Sequence, residues 1–410
     1  MSFDKLDDIE KKKMLDLVDD RSISENLLSA FAGKGGEFHE FKKYVDGKKA
    51  FAVCLRGNSE PECITIYHNN HVVWELSYES GMYGVKANYN HARYTSDWDG
   101  EEKLGKLKKY FGIEKDILPK KTGKNNAEMI YLKCKKEKGT KFFTQDFVEG
   151  TAKLLLSVMD DFFNPYLRYD YFKKFVFNED YNKDDKTALV EKRWQQELFH
   201  HFKNTDNGIY VYDLEFSQKF PSSPDSEGKR KNTIKAKLED VINEPDMLGI
   251  RFENGSPKSL VLIEVKSTYT ACTNRNSGVE KHLKGMKNYS EEPFFVNNRR
   301  KEASHIFGNL KRMNCLDKEY DGMDFENLPI ERLMIFTTDK VLVDGKIFST
   351  EDGKEGKKGK YGSALKYYNE NTVRVIRMCE DNHCSLWLVN GRNDEDYTIA
   401  PAYEYRETEQ

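Results

Sequence analysis

The chain has 410 residues, of which 38% are hydrophobic and 33% are charged, so it can bury a core without disulfides or metal ions. No run approaches the roughly 20 apolar residues of a membrane-spanning helix, and the charged N-terminus lacks the apolar segment of a secretory signal. We therefore expect a cytoplasmic protein without a membrane partner, folded as two or three domains of about 150 residues each.

The formal net charge is −3, so bulk charge does not indicate a nucleic-acid partner, but basic residues are clustered in short runs. Any single run is explained as a solvated loop or helix face. Together the runs could line a phosphate-binding surface on a protein of nearly zero net charge. The runs lie at Lys103–Lys109, Lys120–Lys124, Lys133–Lys138, Lys229–Lys231, Arg299–Lys301 and Lys354–Lys360.

The seven cysteines are odd in number and widely scattered, which is typical of a reducing compartment rather than of a disulfide framework. Cys379 and Cys384 enclose His383, a composition that suits zinc. Their spacing is not that of a CxxC knuckle, and no second pair of ligands follows in the sequence. A zinc site and ordinary packed thiols both remain open, and packed thiols are the expectation.

Residues 1–145 predict an N-terminal α+β domain. Residues 1–45 are polar and helical, and from Ala50 onward short alternating stretches such as CITIY and HVVWELSY are separated by turn residues. Alternation of this kind predicts an antiparallel sheet with one solvated face. We expect this domain to act in recognition, in sensing an activating ligand or in binding a partner protein.

Aromatic residues are frequent in this N-terminal sheet region. Beside lysines such rings can stack on nucleic-acid bases, whereas inside a sheet they pack against one another. Packing is the expected role, and base stacking is the alternative. The residues concerned are Tyr67, Trp74, Tyr78, Tyr83, Tyr89, Tyr94 and Trp98.

Residues 146–345 predict a second domain, and the order of its elements indicates its class. After a helix from Phe147 to about Phe175, the apolar periodicities predict helix, strand, strand, strand, helix and strand. This order is typical of an α/β architecture with helices packed on a mixed sheet. The predicted elements span Thr187–Lys203, Ile209–Phe216, Met247–Phe252, Leu260–Val265, Val279–Tyr289 and Arg332–Thr337.

Residues 346–410 predict a C-terminal extension that packs on the second domain. The pattern near its start indicates a hairpin, which is followed by a loop rich in glycine and lysine at Asp352–Gly362. A helix and strands near Val373 and Leu386 complete the predicted extension.

The segment most informative about function runs from residue 244 to residue 268. Asp246 stands at the entry to one predicted strand, and Glu264 and Lys266 stand at the end of the next, which reads LVLIEVK. Alternate residues of a strand share a face, so Glu264 and Lys266 point the same way and Val265 points into the core. The turn signal Asn254-Gly255 predicts a hairpin that brings Asp246 beside Glu264.

Two carboxylates at one place repel each other unless a cation lies between them. Their hard oxygen atoms suit Mg²⁺ or Mn²⁺, which complete their coordination with water and a substrate phosphate. Such a cation activates water and neutralises charge on phosphoryl oxygens, and a lysine on the same face adds positive charge there. Asp246, Glu264 and Lys266 are therefore the parts that a phosphodiesterase needs.

Each of these residues also has a purely structural interpretation. Asp246 would cap a turn, and Glu264 with Lys266 would form an exposed pair at the end of a strand. With 69 acidic and 66 basic residues, chance alone gives about eleven acid-x-base triplets, so the triplet by itself carries little information. Its position at the end of an apolar strand, downstream of a Pro-Asp and a turn, favours the functional interpretation.

The arrangement Pro245-Asp246 followed by Glu264-Val265-Lys266 resembles the motif of the PD-(D/E)xK nuclease superfamily, to which many restriction endonucleases and defence nucleases belong. The resemblance covers residues of about 187 to 340 and implies a restriction-endonuclease-like fold, a mixed sheet flanked by helices. It implies that Asp246 and Glu264 hold Mg²⁺ or Mn²⁺ together with the backbone carbonyl of Val265. By the same resemblance, Lys266 acts beside the attacking water.

Two neighbouring helices bear on this resemblance. Glu197 stands where many members carry a helical acid that completes the metal site, and its alternative role is to flank the apolar stripe of its helix. Some branches of the superfamily carry Gln-x-x-x-Tyr on the helix after the lysine strand, and this chain has no glutamine there. Lys281, His282 and Lys284 lie on that helix instead, where they either contact nucleic-acid phosphate or remain solvated.

The resemblance implies a Mg²⁺-dependent endo- or exodeoxyribonuclease, with DNA rather than RNA as substrate, in a defence, restriction or mobile-element context. Because cutting both strands with one site per chain needs two copies, we expect a homodimer. Two alternatives remain open: a catalytically silent nucleic-acid-binding scaffold of the same fold, and a nuclease directed at RNA.

Overall fold

The computed structural model describes residues 5–15, 21–48, 50–57, 61–68, 71–88, 100–112, 120–121, 128–129, 131–162, 191, 194–204, 206–214, 223–224, 230–231, 233–238, 244–266, 278–316, 323–338, 340–343, 346–349, 373–390 and 397–405. The chain divides into two compact units. The first unit comprises residues 1–19, 201–303 and 323–410, and the second comprises residues 20–200 and 304–322. Within the described ranges, no helix combines the length and the apolar character needed to cross a membrane.

The described segments contain both helices and strands. The helices are Asp8–Leu15, Glu25–Ala32, His39–Val45, Gly100–Tyr110, Gln145–Phe162, 194–201, Thr233–Lys237, Val279–Ser290, Pro293–Arg312 and 373–381. The strands are β1 (Phe51–Arg56), β2 (Cys63–His68), β3 (His71–Glu79), β4 (Met82–Asn88), β5 (Lys120–Lys121), β6 (Glu128–Met129), β7 (Tyr131–Glu137), β8 (Gly208–Leu214), β9 (Ser223–Pro224), β10 (Arg230–Lys231), β11 (Met247–Glu253), β12 (Ser256–Lys266), β13 (Ile330–Thr338), β14 (Lys340–Val343), β15 (Lys346–Ser349), β16 (Ser385–Asn390) and β17 (Thr398–Tyr403).

The second unit contains the antiparallel sheet that the alternating N-terminal stretches predict. Its five strands lie in the order β1-β2-β3-β4-β7, and every neighbouring pair is antiparallel. Ser80 and Gly81 join β3 to β4 with positive φ angles of 53° and 84°, as a tight two-residue hairpin turn requires. The antiparallel sheet is therefore confirmed.

The described aromatic residues of this sheet lie mainly in its core. Tyr67, Trp74 and Tyr83 are all less than 5% exposed, and Trp74 packs edge-to-face against Phe41, with ring centroids 5.3 Å apart. Buried rings cannot stack on bases, so for these three residues the packing interpretation is confirmed. Tyr78 is half-buried against Tyr83. The remaining members of the predicted group, Tyr89, Tyr94 and Trp98, lie outside the described residues.

The first unit is built on a six-stranded mixed sheet in the order β17-β16-β13-β12-β11-β8. β12, β13 and β16 are parallel to one another, whereas β8, β11 and β17 are antiparallel to their neighbours. The predicted α/β class with a mixed sheet and flanking helices is therefore confirmed at this level. The predicted C-terminal extension contributes β16 and β17, which are strands of the same sheet.

The central position of β12 explains its composition. Its residues from Ser259 to Lys266 are all buried, and parallel strands covered on both faces read as continuous apolar runs. The turn that precedes it is also as predicted, because Asn254 and Gly255 have φ angles of 52° and 75°. Met247 of β11 lies opposite Ile263 of β12, so Asp246, one residue earlier, lies beside Glu264.

One predicted element near the C-terminus is wrong. The strand expected near Val373 is a helix at 373–381, followed by β16 at the position expected near Leu386. Val373 and Val375 alternate as on a strand, but the buried residues are Val375 and Cys379, which are four apart as on a helix. Residues 163–175 of the long predicted helix and the loop Asp352–Gly362 lie outside the described residues.

Because β12 is buried, the stability of the protein is expected to depend strongly on its side chains. We expect Ile263→Ala to lower the free energy of unfolding by about 3 kcal/mol, because Ile263 is fully buried and its truncation leaves a cavity. Lys258→Ala on the exposed start of the same strand is the matched control and is expected to change it by less than about 0.5 kcal/mol. Urea unfolding followed by circular dichroism measures both, and equal effects would contradict the central placement of β12.

Candidate active site

Asp246 is fixed by the strand beside it. It precedes β11, and its carboxylate oxygen Oδ2 accepts a hydrogen bond of 2.7 Å from the backbone N–H of Val265 in β12. Its side chain is 20% exposed. The hairpin of β11 and β12 thus holds one carboxylate at its open end, where a ligand from solvent can reach it.

Glu264 is the buried member of the site. It is 1% exposed, and its oxygen Oε1 accepts hydrogen bonds from Lys266 Nζ at 2.5 Å and from His282 Nδ1 at 2.7 Å. The other oxygen, Oε2, is also buried and has no hydrogen-bond partner among the described residues. A buried carboxylate oxygen without a partner is unfavourable unless a ligand satisfies it.

Glu264 nevertheless remains ionised. Burial by itself raises the pKa of this carboxyl, but the neighbouring Lys266 and His282, through their charge and their hydrogen bonds, outweigh burial and hold the pKa at about 2. The carboxyl group of Glu264 is therefore negatively charged at neutral pH.

Lys266 lies among the groups that the sequence predicts as metal ligands. Its ammonium Nζ donates to Glu264 Oε1 and, at 3.1 Å, to the backbone carbonyl of Val265, and it lies 4.0 Å from Asp246 Oδ2. Its side chain is 9% exposed. A positive charge is thus held where Asp246, Glu264 and the Val265 carbonyl converge, so the structure brings these predicted residues together.

His282 joins the site from the helix Val279–Ser290. Val279, Leu283 and Met286 of this helix are buried, and His282 lies three residues after the first and four before the last. That spacing puts it on the same side of the helix, where its half-buried ring reaches Glu264. Sequence reasoning missed this contact, although the apolar spacing of the helix was a signal for it. Its predicted phosphate contact stays a prediction.

The two lysines predicted beside His282 lie on the solvent side of that helix. Lys281 and Lys284 are exposed, and Lys284 pairs with Glu280 at 2.8 Å. The hydrogen bond and the charge of Lys284 lower the pKa of Glu280. Tyr289, further along, is fully buried and stacked on Phe295 at 4.7 Å, so its ring packs the core. Phosphate binding by Lys281 and Lys284 stays a prediction.

Glu197 lies on the helix 194–201 and belongs to the second unit, whereas the other predicted metal ligands belong to the first. It is half-buried, while Trp194 and Leu198 are fully buried. The apolar stripe predicted for this helix is therefore confirmed. A role for Glu197 in holding a metal ion stays a prediction.

The cysteine pair near the C-terminus lies in the interior. Cys379 and Cys384 are both buried, and burial together with the Cys379 thiol raises the pKa of Cys384 well above its usual range. The ring of His383 stacks on Tyr405 at 4.7 Å. Across the part of the chain that the structure describes, no three His, Cys, Asp or Glu side chains converge as a metal cluster.

The candidate site can be compared with what is known of other proteins. No protein-family model, no curated protein and no solved structure matches this chain.

The residues present fit a hard divalent cation. Two carboxylates and the Val265 carbonyl supply oxygen ligands of the kind that Mg²⁺ and Mn²⁺ prefer, and such ions keep several waters rather than requiring a closed protein cage. The buried Oε2 of Glu264, which has no hydrogen-bond partner among the described residues, is the observation that most directly fits a divalent cation at this place. Asp246, Glu264 and Val265 are thus the residues that would hold it.

The ionised state of Glu264 makes the stability of the protein depend on pH. Its pKa of about 2 in the folded chain lies below the ordinary 4.5, so its contribution is fully present above about pH 5 and is lost as the pH falls toward 2. We expect the difference in unfolding free energy between wild type and Glu264→Gln to shrink between about pH 5 and pH 3. Urea unfolding in EDTA measures this difference.

The matched control for this experiment is Glu253→Gln, because Glu253 is an exposed carboxylate at the far end of β11. Its difference from wild type is expected to stay constant over the same range. A constant difference for Glu264→Gln as well would show that the folded protein does not hold this carboxyl ionised.

Proposed function

We propose that this protein is a metal-dependent nuclease that hydrolyses phosphodiester bonds, with a site of the PD-(D/E)xK type. The observation that carries the proposal is the buried Glu264 oxygen Oε2, which has no described partner and belongs to a carboxylate placed beside Asp246 and Lys266. A cation held by these oxygens would satisfy Oε2 and relieve the repulsion between the two acids.

The order of elements supports the same proposal. Along the chain, the helix 194–201, β8, β11, β12, the helix Val279–Ser290 and β13 occur in the order of the superfamily's core. β9, β10 and the helix Thr233–Lys237 lie between β8 and β11, and the helix Pro293–Arg312 precedes β13. The acid-x-lysine triplet ends the central strand β12, and the Pro-Asp precedes β11. A restriction-endonuclease-like fold over residues of about 187 to 340 is part of the proposal.

The chain's own residues have separable roles in this chemistry. A bound Mg²⁺ or Mn²⁺ would lower the pKa of a water molecule and neutralise charge on the phosphoryl oxygens. Asp246 and Glu264 would hold the ion, and the N–H of Val265 fixes the carboxylate of Asp246. Lys266 keeps a positive charge where negative charge develops during hydrolysis, and pre-placed charge of this kind accelerates such reactions.

DNA is the proposed substrate, because the superfamily that the motif resembles acts mostly on DNA. The exposed Lys281 and Lys284 would supply phosphate contacts on the helix that carries His282. A homodimer, with one site for each strand, is the proposed form for double-strand cutting.

The central test is cleavage. We expect the purified protein to cut plasmid or linear DNA in Mg²⁺ or Mn²⁺, and we expect Lys266→Ala to reduce the rate by about 10²–10³-fold. EDTA is expected to abolish cleavage. The matched control is Lys258→Ala, which removes an exposed lysine from the other end of β12 and is expected to cut like wild type.

Each outcome of that assay has a clear meaning. Cleavage that survives both Lys266→Ala and EDTA would contradict the proposed site. Cleavage of RNA alone would correct the substrate and keep the site. If no nucleic acid is cut and Mg²⁺ does not raise the melting temperature, the protein is the silent scaffold rather than an enzyme. A rise in melting temperature without cleavage would instead indicate an intact metal site that awaits a partner or activator.

Substitution of Lys266 is expected to affect catalysis without weakening metal binding. Because its ammonium donates to the Val265 carbonyl, it competes with the proposed cation for that oxygen. We expect Lys266→Ala to bind Mn²⁺ at least as tightly as wild type while cleavage is lost. Isothermal titration calorimetry measures the affinity, and a tenfold weaker affinity would show that the lysine supports the metal rather than the reaction.

A further inference from the structure

The two oxygens of Glu264 have different surroundings. Oε1 accepts from two donors, Lys266 Nζ and His282 Nδ1, whereas Oε2 is buried with no hydrogen-bond partner among the described residues. Two donors on one oxygen fix the rotation of the carboxylate about its last bond. The orientation of Oε2 is therefore set by the groups that hold Oε1.

We propose that His282 is a positioning residue that holds Glu264 Oε1 so that Oε2 faces the divalent cation. This inference rests on the proposed function, since it concerns the cation of the same site. His282 acts through Glu264 and is not itself assigned a contact with the cation or the substrate.

His282 is better suited to this task than Lys266. The lysine has a flexible four-carbon side chain, and it also donates to the carbonyl of Val265. The imidazole is rigid, and its helix is anchored by the buried Val279, Leu283 and Met286. When Lys266 shifts toward a substrate or yields to a cation, the hydrogen bond from His282 keeps Glu264 in place.

The hydrogen bond does not require His282 to be charged. Glu264 is ionised and can only accept, so the hydrogen lies on Nδ1 of the histidine, as it does in one neutral tautomer and in the imidazolium. Hydrogen bonds of this kind to metal-binding carboxylates typically change metal affinity by about 10- to 100-fold.

A purely space-filling ring would occupy the same position, and two substitutions separate the roles. In His282→Asn the amide nitrogen Nδ2 stands the same number of bonds from the backbone as the histidine Nδ1, so a donor is kept. In His282→Leu a side chain of similar bulk has no donor. Lys281→Leu, on the exposed neighbouring position, is the matched control.

The test is the affinity of the full chain for Mn²⁺, measured by electron paramagnetic resonance of free Mn²⁺ without any nucleic acid. We expect His282→Leu to bind about 10- to 100-fold more weakly than wild type. His282→Asn and Lys281→Leu are expected to stay within about threefold of wild type. If His282→Leu does not fold, His282→Gln replaces it, because its amide lies one bond too far and is expected to weaken binding likewise.

The results distinguish this inference from the proposed function. If wild type binds Mn²⁺ and His282→Leu binds equally well, or if Leu and Asn weaken binding equally, the positioning role is overturned and the nuclease proposal stands. If wild type binds no Mn²⁺, the metal site itself is overturned and the positioning role with it.

Discussion

The carboxylate of Glu264 is an ionised group at the end of a strand that is buried on both faces. An uncompensated charge in such a place destabilises a protein by several kcal/mol, so its neighbours are constrained. Lys266 and His282 meet that constraint from one side, because both donate to Oε1. Oε2 remains buried without a hydrogen-bond partner among the described residues, so the two oxygens of Glu264 differ in their surroundings.

Three features of the fold bring the residues around Glu264 together. The tight turn at Asn254-Gly255 fixes the register of β11 against β12, and this register puts Asp246 next to Glu264. The parallel pairing of β12 with β13 places β12 inside the sheet, where its residues from Ser259 to Lys266 are buried. The amphipathic helix Val279–Ser290 lays one side on the core and brings His282 to Glu264. Packing and chemistry are therefore set by the same elements.

What could be predicted from the sequence follows from how local each signal is. The position of Asp246 beside Glu264 could be predicted from the two-residue period of a strand and one turn signal. The structure confirms that these two residues are neighbours on the hairpin. The apolar spacing of its helix puts His282 on the buried side, but the contact with Glu264 also depends on how that helix packs against the sheet, which the spacing does not give. The place of β16 and β17 in the central sheet depends on pairing between distant segments, which sequence periodicity does not report.

The wrong prediction of a strand near Val373 has a related cause, because it relied on a short local pattern alone. Val373 and Val375 alternate over too short a stretch to distinguish a strand from a helix. The burial of Val375 and Cys379, four residues apart, identifies a helix, but this burial is known only from the structure. The role of Glu197 likewise depends on tertiary placement rather than on its own helix. Sequence reasoning was thus reliable for neighbours on one hairpin and weak for contacts between distant elements.

The anomalous scattering of Mn²⁺ in crystals of the wild-type protein tests whether Glu264 Oε2 holds a divalent cation. The proposed site predicts a single strong peak within about 2.2 Å of Glu264 Oε2, and the ion at this peak also contacts Asp246 and the carbonyl of Val265. Crystals soaked in Mn²⁺ that show Lys266 still bound to Glu264, and no peak beside Oε2, would contradict it.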